Sequence, residues 1–316
     1  MWKMVNKKRV VVYTLRLMKS IALFLVLLLS AYASPTGPSS YPYISGDTWR
    51  HFVNFRLSDV ESFRPEQVER GDAIFVEQDS LDEFIDAYAP HIRVPYVLVT
   101  ANCDRGGDEP MPGKYERLLD DPHLFAWFTQ NMDRADHPKL HPIPIGLANR
   151  KWSWGKIEYY DLKIPEARSR IRTGWLYVNF QIGSNRKVRQ PVWDYFASHP
   201  MGSMVHLTPF KAHLAYMQEL PNYRFVVSPP GNGLDTHRTW EALLLGSYPI
   251  VISSSLNALY DDLPVLVIGS WDELTPEILR AKYEEFQSKT WTLEKLYFPY
   301  YFSQLEAIQK ELRNGQ

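Results

Sequence analysis

Between Arg224 and Ile268 the chain reads RFVVSPPGNGLDTHRTWEALLLGSYPIVISSSLNALYDDLPVLVI. The order is strand, glycine-rich turn, helix, strand, short helix, strand. The turn Pro229-Pro230-Gly231-Asn232-Gly233 stands between a β-branched strand and a helix, where an open α/β sheet usually holds a ligand. Gly231 and Gly233 permit positive φ and a close approach of backbone to ligand. Asp235 or Thr236 is the expected N-cap, and the next turn offers free N–H groups to an anion. His237 sits beside that turn. Arg238 and Glu241 stand one helical turn apart and share a face. A cation at the helix start with a carboxylate one turn deeper suits a nucleotide diphosphate, phosphates at the end and sugar hydroxyls further along. The same residues also fit a plain turn followed by a solvent-exposed ion pair of little energetic weight.

Three further stretches carry chemistry-bearing residues. Asn179–Arg189 (NFQIGSNRKVR) ends a strand, turns, and opens a helix with basic residues. Cations there oppose the helix dipole, so an anion would compensate them. Arg186 or Lys187 could neutralise a leaving diphosphate, and a solvated basic helix start is the plainer alternative. Thr100–Asp108 (TANCDRGGD) is a polar loop at the end of an apolar strand. A carboxylate in such a loop could act as a general base on a hydroxyl; Asp104 is the first candidate and Asp108 the second, against the ordinary role of a loop aspartate capping a turn. Lys151–Tyr160 (KWSWGKIEYY) has two Trp and two Tyr in ten residues. They could stack on acceptor sugar rings or pack between domains, and Trp127–Asn131 (WFTQN) has the same two readings.

The elements that must position these residues follow an α/β pattern. Asp72–Val76, Val94–Ala101 and Leu124–Phe128 read as strands, with a helical pattern at Ser80–Tyr88. Leu140–Leu147 (LHPIPIGL) is extended, but its prolines keep it from a central strand position. A second run begins with the strand Gly174–Phe180. Helix Lys187–Ser198, weak strand Met204–Leu207, helix Pro209–Leu220 and strand Tyr223–Ser228 follow. Trp271–Ser288 and Thr292–Arg313 have helical spacing, and Gly246 is placed to stop the helix after the glycine turn. Strands alternating with helices predict parallel sheets. The boundary between the two runs falls near Tyr159–Arg172.

The stretch SPPGNGLDTHRTWEALLLGSYPIVIS resembles the C-terminal signature of the exostosin-like glycosyltransferases: turn, Arg, Glu, Gly and Pro come in the same order. The resemblance covers mainly Tyr223–Trp271. It is looser over Val97–Asp104 and Pro144–Leu147. The family pattern often has a cysteine where Ser247 follows Gly246. The resemblance implies an α/β fold with two Rossmann-like domains facing a cleft, the GT-B type. It would give Arg238 a pyrophosphate role and Glu241 the ribose hydroxyls. On this basis residues 34–165 are expected to form the acceptor domain, 166–290 the nucleotide-sugar domain, and 291–316 a C-terminal helix. The expected activity is inverting transfer of a sugar from a nucleotide-diphosphate sugar to a glycan or other hydroxyl acceptor. The alternative is a carbohydrate- or nucleotide-binding protein that keeps the fold without catalysis. No tightly bound cofactor is implied. No Asp-x-Asp triplet stands ready to chelate a nucleotide-bound metal, and the prolines at 138 and 142 break the spacing of His137 and His141, so no metal is expected.

The 316 residues suffice for two medium α/β domains. The one cysteine, Cys103, excludes an internal disulfide and a Cys-based zinc site. Residues 1–33 look like a signal peptide or uncleaved signal anchor: apolar Ile21–Leu29 follows basic residues and precedes Ala31-Tyr32-Ala33. Counted from Met18, the segment is by itself a compact signal peptide. An exported, periplasmic, Golgi-lumenal or membrane-anchored body is expected. Its six basic residues face no acid; taking them from the 35 Lys and Arg leaves 29 against 36 acidic residues, a net of −7. So acidic a body has no broad field to attract nucleic acid.

Overall fold

The computed structural model describes residues 39–57, 63–102, 113–132, 134, 136–198 and 201–315. The expected signal segment, Cys103, Asp104 and Asp108 lie outside the described residues. Pro38–Gln316 forms one compact unit. Within it stand two parallel sheets, each with five strands, as the expected α/β class requires.

The first sheet runs in sequence order: β1 (Phe55–Arg56), β2 (Ala73–Glu77), β3 (Tyr96–Ala101), β4 (Leu124–Thr129) and β5 (Leu140–Pro142). The central strands are continuous apolar runs because both faces are covered; every residue of β3 is buried. The proline-punctuated β5 takes the edge, as its missing N–H donors require. The sheet has no reversal of strand order. Helix α1 (Gly46–Phe52) starts at Ser45, whose side chain accepts from the Thr48 N–H. Helix α2 (Gly113–Leu119) precedes β4.

The second sheet contains β6 (Gly174–Val178), β7 (Val205–Leu207), β8 (Tyr223–Val227), β9 (Tyr248–Ile252) and β10 (Leu266–Ile268). Its spatial order is β7-β6-β8-β9-β10, so the winding reverses between β6 and β8. Side chains alternate between two cores. Leu176, Val178, Phe225 and Val227 pack with Val192 and Phe196 of α4 (Arg186–Ser198) and with Leu279 and Phe286 of α8 (Pro276–Ser288). Tyr177 and Val226 pack on the other face, in one cluster with α5 (His213–Glu219), α6 (His237–Leu244) and the short α7 (Asn257–Tyr260). That face shares one apolar cluster with the first sheet.

Several boundaries differ from the sequence expectation. The expected interdomain boundary at 159–172 is largely occupied by α3 (Ile157–Ser169). The helix expected from Pro209 begins only at His213. The pattern Trp271–Ser288 breaks at Thr275, which caps α8 with Pro276 in its first turn. Ser80–Tyr88 passes through 3-10, α and π turns rather than one regular helix. The last helix, α9 (Phe298–Asn314), returns to the first sheet's side. Phe298 meets Trp49 edge-on at 4.9 Å, and Gln309 Nε2 donates to the Gly71 carbonyl at 2.8 Å.

Candidate donor site at the sheet reversal

A doubly wound sheet opens a crevice where its strand order reverses, outside the carboxyl ends of the strands. Here the loops after β6 and β8 meet at that point. Asn185 Nδ2 donates to the Gly231 carbonyl at 2.8 Å. Arg189 donates from Nε to the Pro230 carbonyl at 2.9 Å and from Nη2 to the Pro229 carbonyl at 3.3 Å. Its Nη1 donates back to the Gln181 carbonyl at 2.8 Å and the Ser184 hydroxyl at 3.1 Å. One buried guanidinium, 7% exposed, thus ties both loops together.

The glycines serve close approach and not positive φ, which neither adopts. A Cβ on Gly231 would stand 2.8 Å from Arg189 Nη2, and one on Gly233 2.3 Å from Asn131 Nδ2. Asn131 follows β4 of the first sheet, and its Oδ1 accepts from the Asp235 N–H at 2.8 Å. The glycine turn is therefore held from both sheets.

Arg238 lies at the start of α6 with its guanidinium 4.7 Å from the Tyr216 ring centroid. Its Nη1 is buried without a hydrogen-bond partner. Arg189 is close enough for Arg238's charge to matter: burial first, then that charge, push Arg189 down to about 10. Neither arginine has a carboxylate partner among the described residues. Two neighbouring cations without a counter-ion attract an anion. The Thr236 hydroxyl meets the Ser228 hydroxyl at 3.0 Å; Thr236 occupies the N-cap position without making a side-chain cap.

The other expected site residues are distributed differently. Arg186 and Lys187 are exposed on the first turn of α4, whereas Arg189 is buried with Val192 and Phe196. Periodicity points to Arg189, because positions 189, 192 and 196 form one helical stripe. His237 pairs through Nδ1 with the Gly146 carbonyl at 2.8 Å and so joins the seam to the first sheet. Glu241 is 4% exposed. Its Oε1 accepts from Tyr160 Oη at 2.8 Å and faces His213 Nε2 at 3.0 Å. Burial raises the Glu241 carboxyl, but the hydrogen bond and charge of His213, with His237 and Tyr160, bring it below its ordinary value. A ribose hydroxyl would have to meet the remaining oxygen or displace one of these partners.

Asp235 was expected only as a cap, and it is the centre of the seam. Its Oδ2 accepts from the Ile145 N–H at 2.8 Å and from Trp240 Nε1 at 2.7 Å, and its Oδ1 from the Thr236 N–H at 2.8 Å. Burial outweighs these three donors and pushes its carboxyl up to about 6. A carboxyl that binds its proton more tightly folded than unfolded adds stability below its unfolded value of about 3.9 and loses it as pH rises through 6. The roughly two-unit difference corresponds to about 3 kcal/mol. Urea unfolding should show the stability gap between wild type and Asp235→Asn shrinking by about this amount from pH 4 to pH 7. A gap constant with pH would refute the raised carboxyl.

The aromatic stretch is split. Trp152 and Trp154 stack with centroids 5.3 Å apart and rings within 7°, and they are 48% and 41% exposed. Lys151 Nζ sits 5.5 Å from the Trp152 centroid. Beside them an open cavity of about 440 Å³ is lined by Arg150, Lys156, Glu158, Tyr159 and Leu162. Tyr160, in contrast, is fully buried. Trp127 and Phe128 are core residues, 1% exposed each. Among the described residues no group of three or more His, Cys, Asp and Glu is placed to hold a metal ion, and no helix is long and apolar enough to cross a membrane.

Fold and site together define a two-sheet α/β protein with a cationic crevice at the reversal of its second sheet. No protein-family model matches the chain, and no curated protein matches it. Among solved structures it is similar to the catalytic domain of starch synthase IV from Arabidopsis thaliana bound to ADP and acarbose. That likeness has 10% identity and a TM-score of 0.39, and covers 76% of this chain and 72% of that one. It is also similar to the pneumococcal O-GlcNAc transferase GtfA in complex with UDP and GlcNAc, at 11% identity and a TM-score of 0.33, covering 78% of this chain and 53% of that one.

Proposed function

We propose that the protein is an exostosin-like glycosyltransferase that takes its sugar from a nucleotide-diphosphate donor and transfers it with inversion to a hydroxyl acceptor. The observation that carries this reading is Arg238, whose buried Nη1 lacks a partner beside a second arginine at the sheet reversal. In this reading the diphosphate lies against the first turn of α6 and the Arg238 guanidinium. The departing charge is stabilised there by groups already in place. Arg186 and Lys187, exposed on the next helix, add screening charge at the mouth. The exposed Trp152 and Trp154 pair offers a surface for acceptor sugar rings.

The test is calorimetric titration with UDP and GDP, followed by transfer assays on UDP- and GDP-sugars. Arg238→Ala should weaken nucleotide binding by about 1.5–3 kcal/mol, the loss of a charge-assisted contact. Its thermal stability should hold or rise, because a like charge beside Arg189 is removed. Unchanged affinity would remove Arg238 from the site. A wild-type protein that binds neither nucleotide would end the transferase reading.

A further inference from the structure

The segment Ile44–Asp47 lies along the carboxyl edge of the first sheet. The Leu147 N–H, in the loop after β5, donates to the Ile44 carbonyl at 2.8 Å. A Cβ on Gly46 would stand 1.8 Å from Asn102 Oδ1, in the residue that follows β3. Contacts with the loops after β3 and β5 set the segment across the end of β4, which lies between them. The next residues of that strand lead to Asn131, which touches Gly233 of the donor turn. Thr100 pairs with Thr129, and Asn102 and Asn131 each follow two residues after that pair, past the ends of adjacent strands. Both asparagines adopt positive φ, +62° and +49°. Such backbone cost is held where a site over-determines it.

A chain of side chains fixes Asp47 in this place. Asn102 Nδ2 donates to Glu77 Oε1 at 3.2 Å, and Asn149 Nδ2 donates to Asn102 Oδ1 at 2.7 Å. The Asp47 N–H donates to Asn149 Oδ1 at 2.9 Å, and the Arg150 N–H donates to Asp47 Oδ2 at 2.7 Å. Among the described residues Oδ1 of Asp47 has no hydrogen-bond partner. Arg150 is followed by Lys151 and the exposed Trp152–Trp154 pair, and Ile44, three residues before Asp47, lies against Gly146, whose carbonyl meets His237 at the start of the helix after the donor turn.

We infer that Asp47 is the group that accepts the proton of the acceptor hydroxyl. The inference rests on the transferase reading above. The acceptor oxygen bonds to the anomeric carbon while its proton passes to Asp47 Oδ1. The bond from that carbon to the diphosphate breaks, and its electron pair leaves on the diphosphate oxygen beside Arg238. Asn102 and Asn149 are positioning residues that hold the carboxylate. Burial raises the Asp47 carboxyl toward the range of a working base. The Arg150 N–H and the charges of Lys151 and Arg50 pull it down, and Glu77 adds to the rise.

The experiment uses the full chain, UDP and GDP as binding probes, and UDP- and GDP-sugars with oligosaccharide acceptors. Asp47→Asn should bind nucleotide as tightly as wild type while kcat falls on the order of 10²–10⁴-fold. The acidic limb of its pH profile should disappear. Asp47→Glu should keep part of the rate with that limb displaced. The assignment is overturned by a variant within about threefold of wild type, by loss of nucleotide binding in the same variant, or by Asp104→Asn or Asp108→Asn taking the loss instead. If wild type binds no nucleotide, the transferase reading has failed; if wild type transfers sugar and Asp47→Asn does so equally, only the present assignment has.

Discussion

An Arg189→Met protein is expected to lose about 4 kcal/mol of folding stability and its nucleotide affinity with it. The guanidinium makes four hydrogen bonds to acceptors on two loops: the carbonyls of Gln181, Pro229 and Pro230, and the Ser184 hydroxyl. Methionine fills the volume and reaches none of them. Each acceptor left unpaired in a buried place costs about 1–3 kcal/mol, part of it recovered where water enters. Removal of a cation whose charge acts on Arg238 offsets a fraction of the loss. The turn Pro229–Gly233 is then free of the loop after β6, so the anion site loses its shape as well as a charge. Urea unfolding and calorimetry with UDP or GDP measure the two effects. Arg186→Met, on the exposed first turn of the same helix, should change stability by no more than about 0.5 kcal/mol. Equal effects at 186 and 189 would contradict the bridge.

Gly146→Ala should cost about 3 kcal/mol or more. Gly146 has φ +60°, and a Cβ there would stand 2.2 Å from the Ile44 carbonyl oxygen. Left-handed backbone costs an alanine roughly 1–2 kcal/mol, and forcing a methyl against backbone adds about 1–3. The Ile44 segment cannot yield freely, because it carries the α1 cap and Asp47. The Gly146 carbonyl is also the partner of His237, so a shift there opens the seam beside the donor turn. The variant should therefore lose nucleotide affinity together with its urea midpoint. Gly183→Ala makes a control: the nearest atom to its Cβ is Gln181 Nε2 at 4.0 Å, and its change should stay near 0.5 kcal/mol. A Gly146→Ala protein as stable as this control would mean that the close approach is not real.

Much of the scaffold was legible because local chemistry dictates it. Apolar β-branched runs bounded by Pro and Gly predicted the buried strands β2, β3, β6 and β8 within a residue or two. Pro spacing placed the segment at 140 on an edge, and Gly246 ends its helix with φ +82°. Polar residues in loops and at helix starts were less legible. Arg186 and Lys187 are exposed on their helix start, while Arg189 is the guanidinium that bonds the glycine turn. Asp235 looked like a cap and joins two sheets. Asp47 stands between a proline-rich stretch and the first strand, where no local pattern marks it. The hydrogen bonds that give it meaning come from residues 102 positions and more away in the chain.

The sequence by itself determined an α/β chain of parallel strands with a glycine-rich turn at Pro229–Gly233 between a strand and a helix. Those properties follow from short-range rules: hydrophobic period, turn residues and helix termini. Only the tertiary structure decided which strands are neighbours, where the winding reverses and which side chains the reversal brings together. That choice rests on burying the two faces of the second sheet against different partners and on returning α9 to the first sheet. Such contacts join positions far apart in the chain, and no local pattern encodes their pairing.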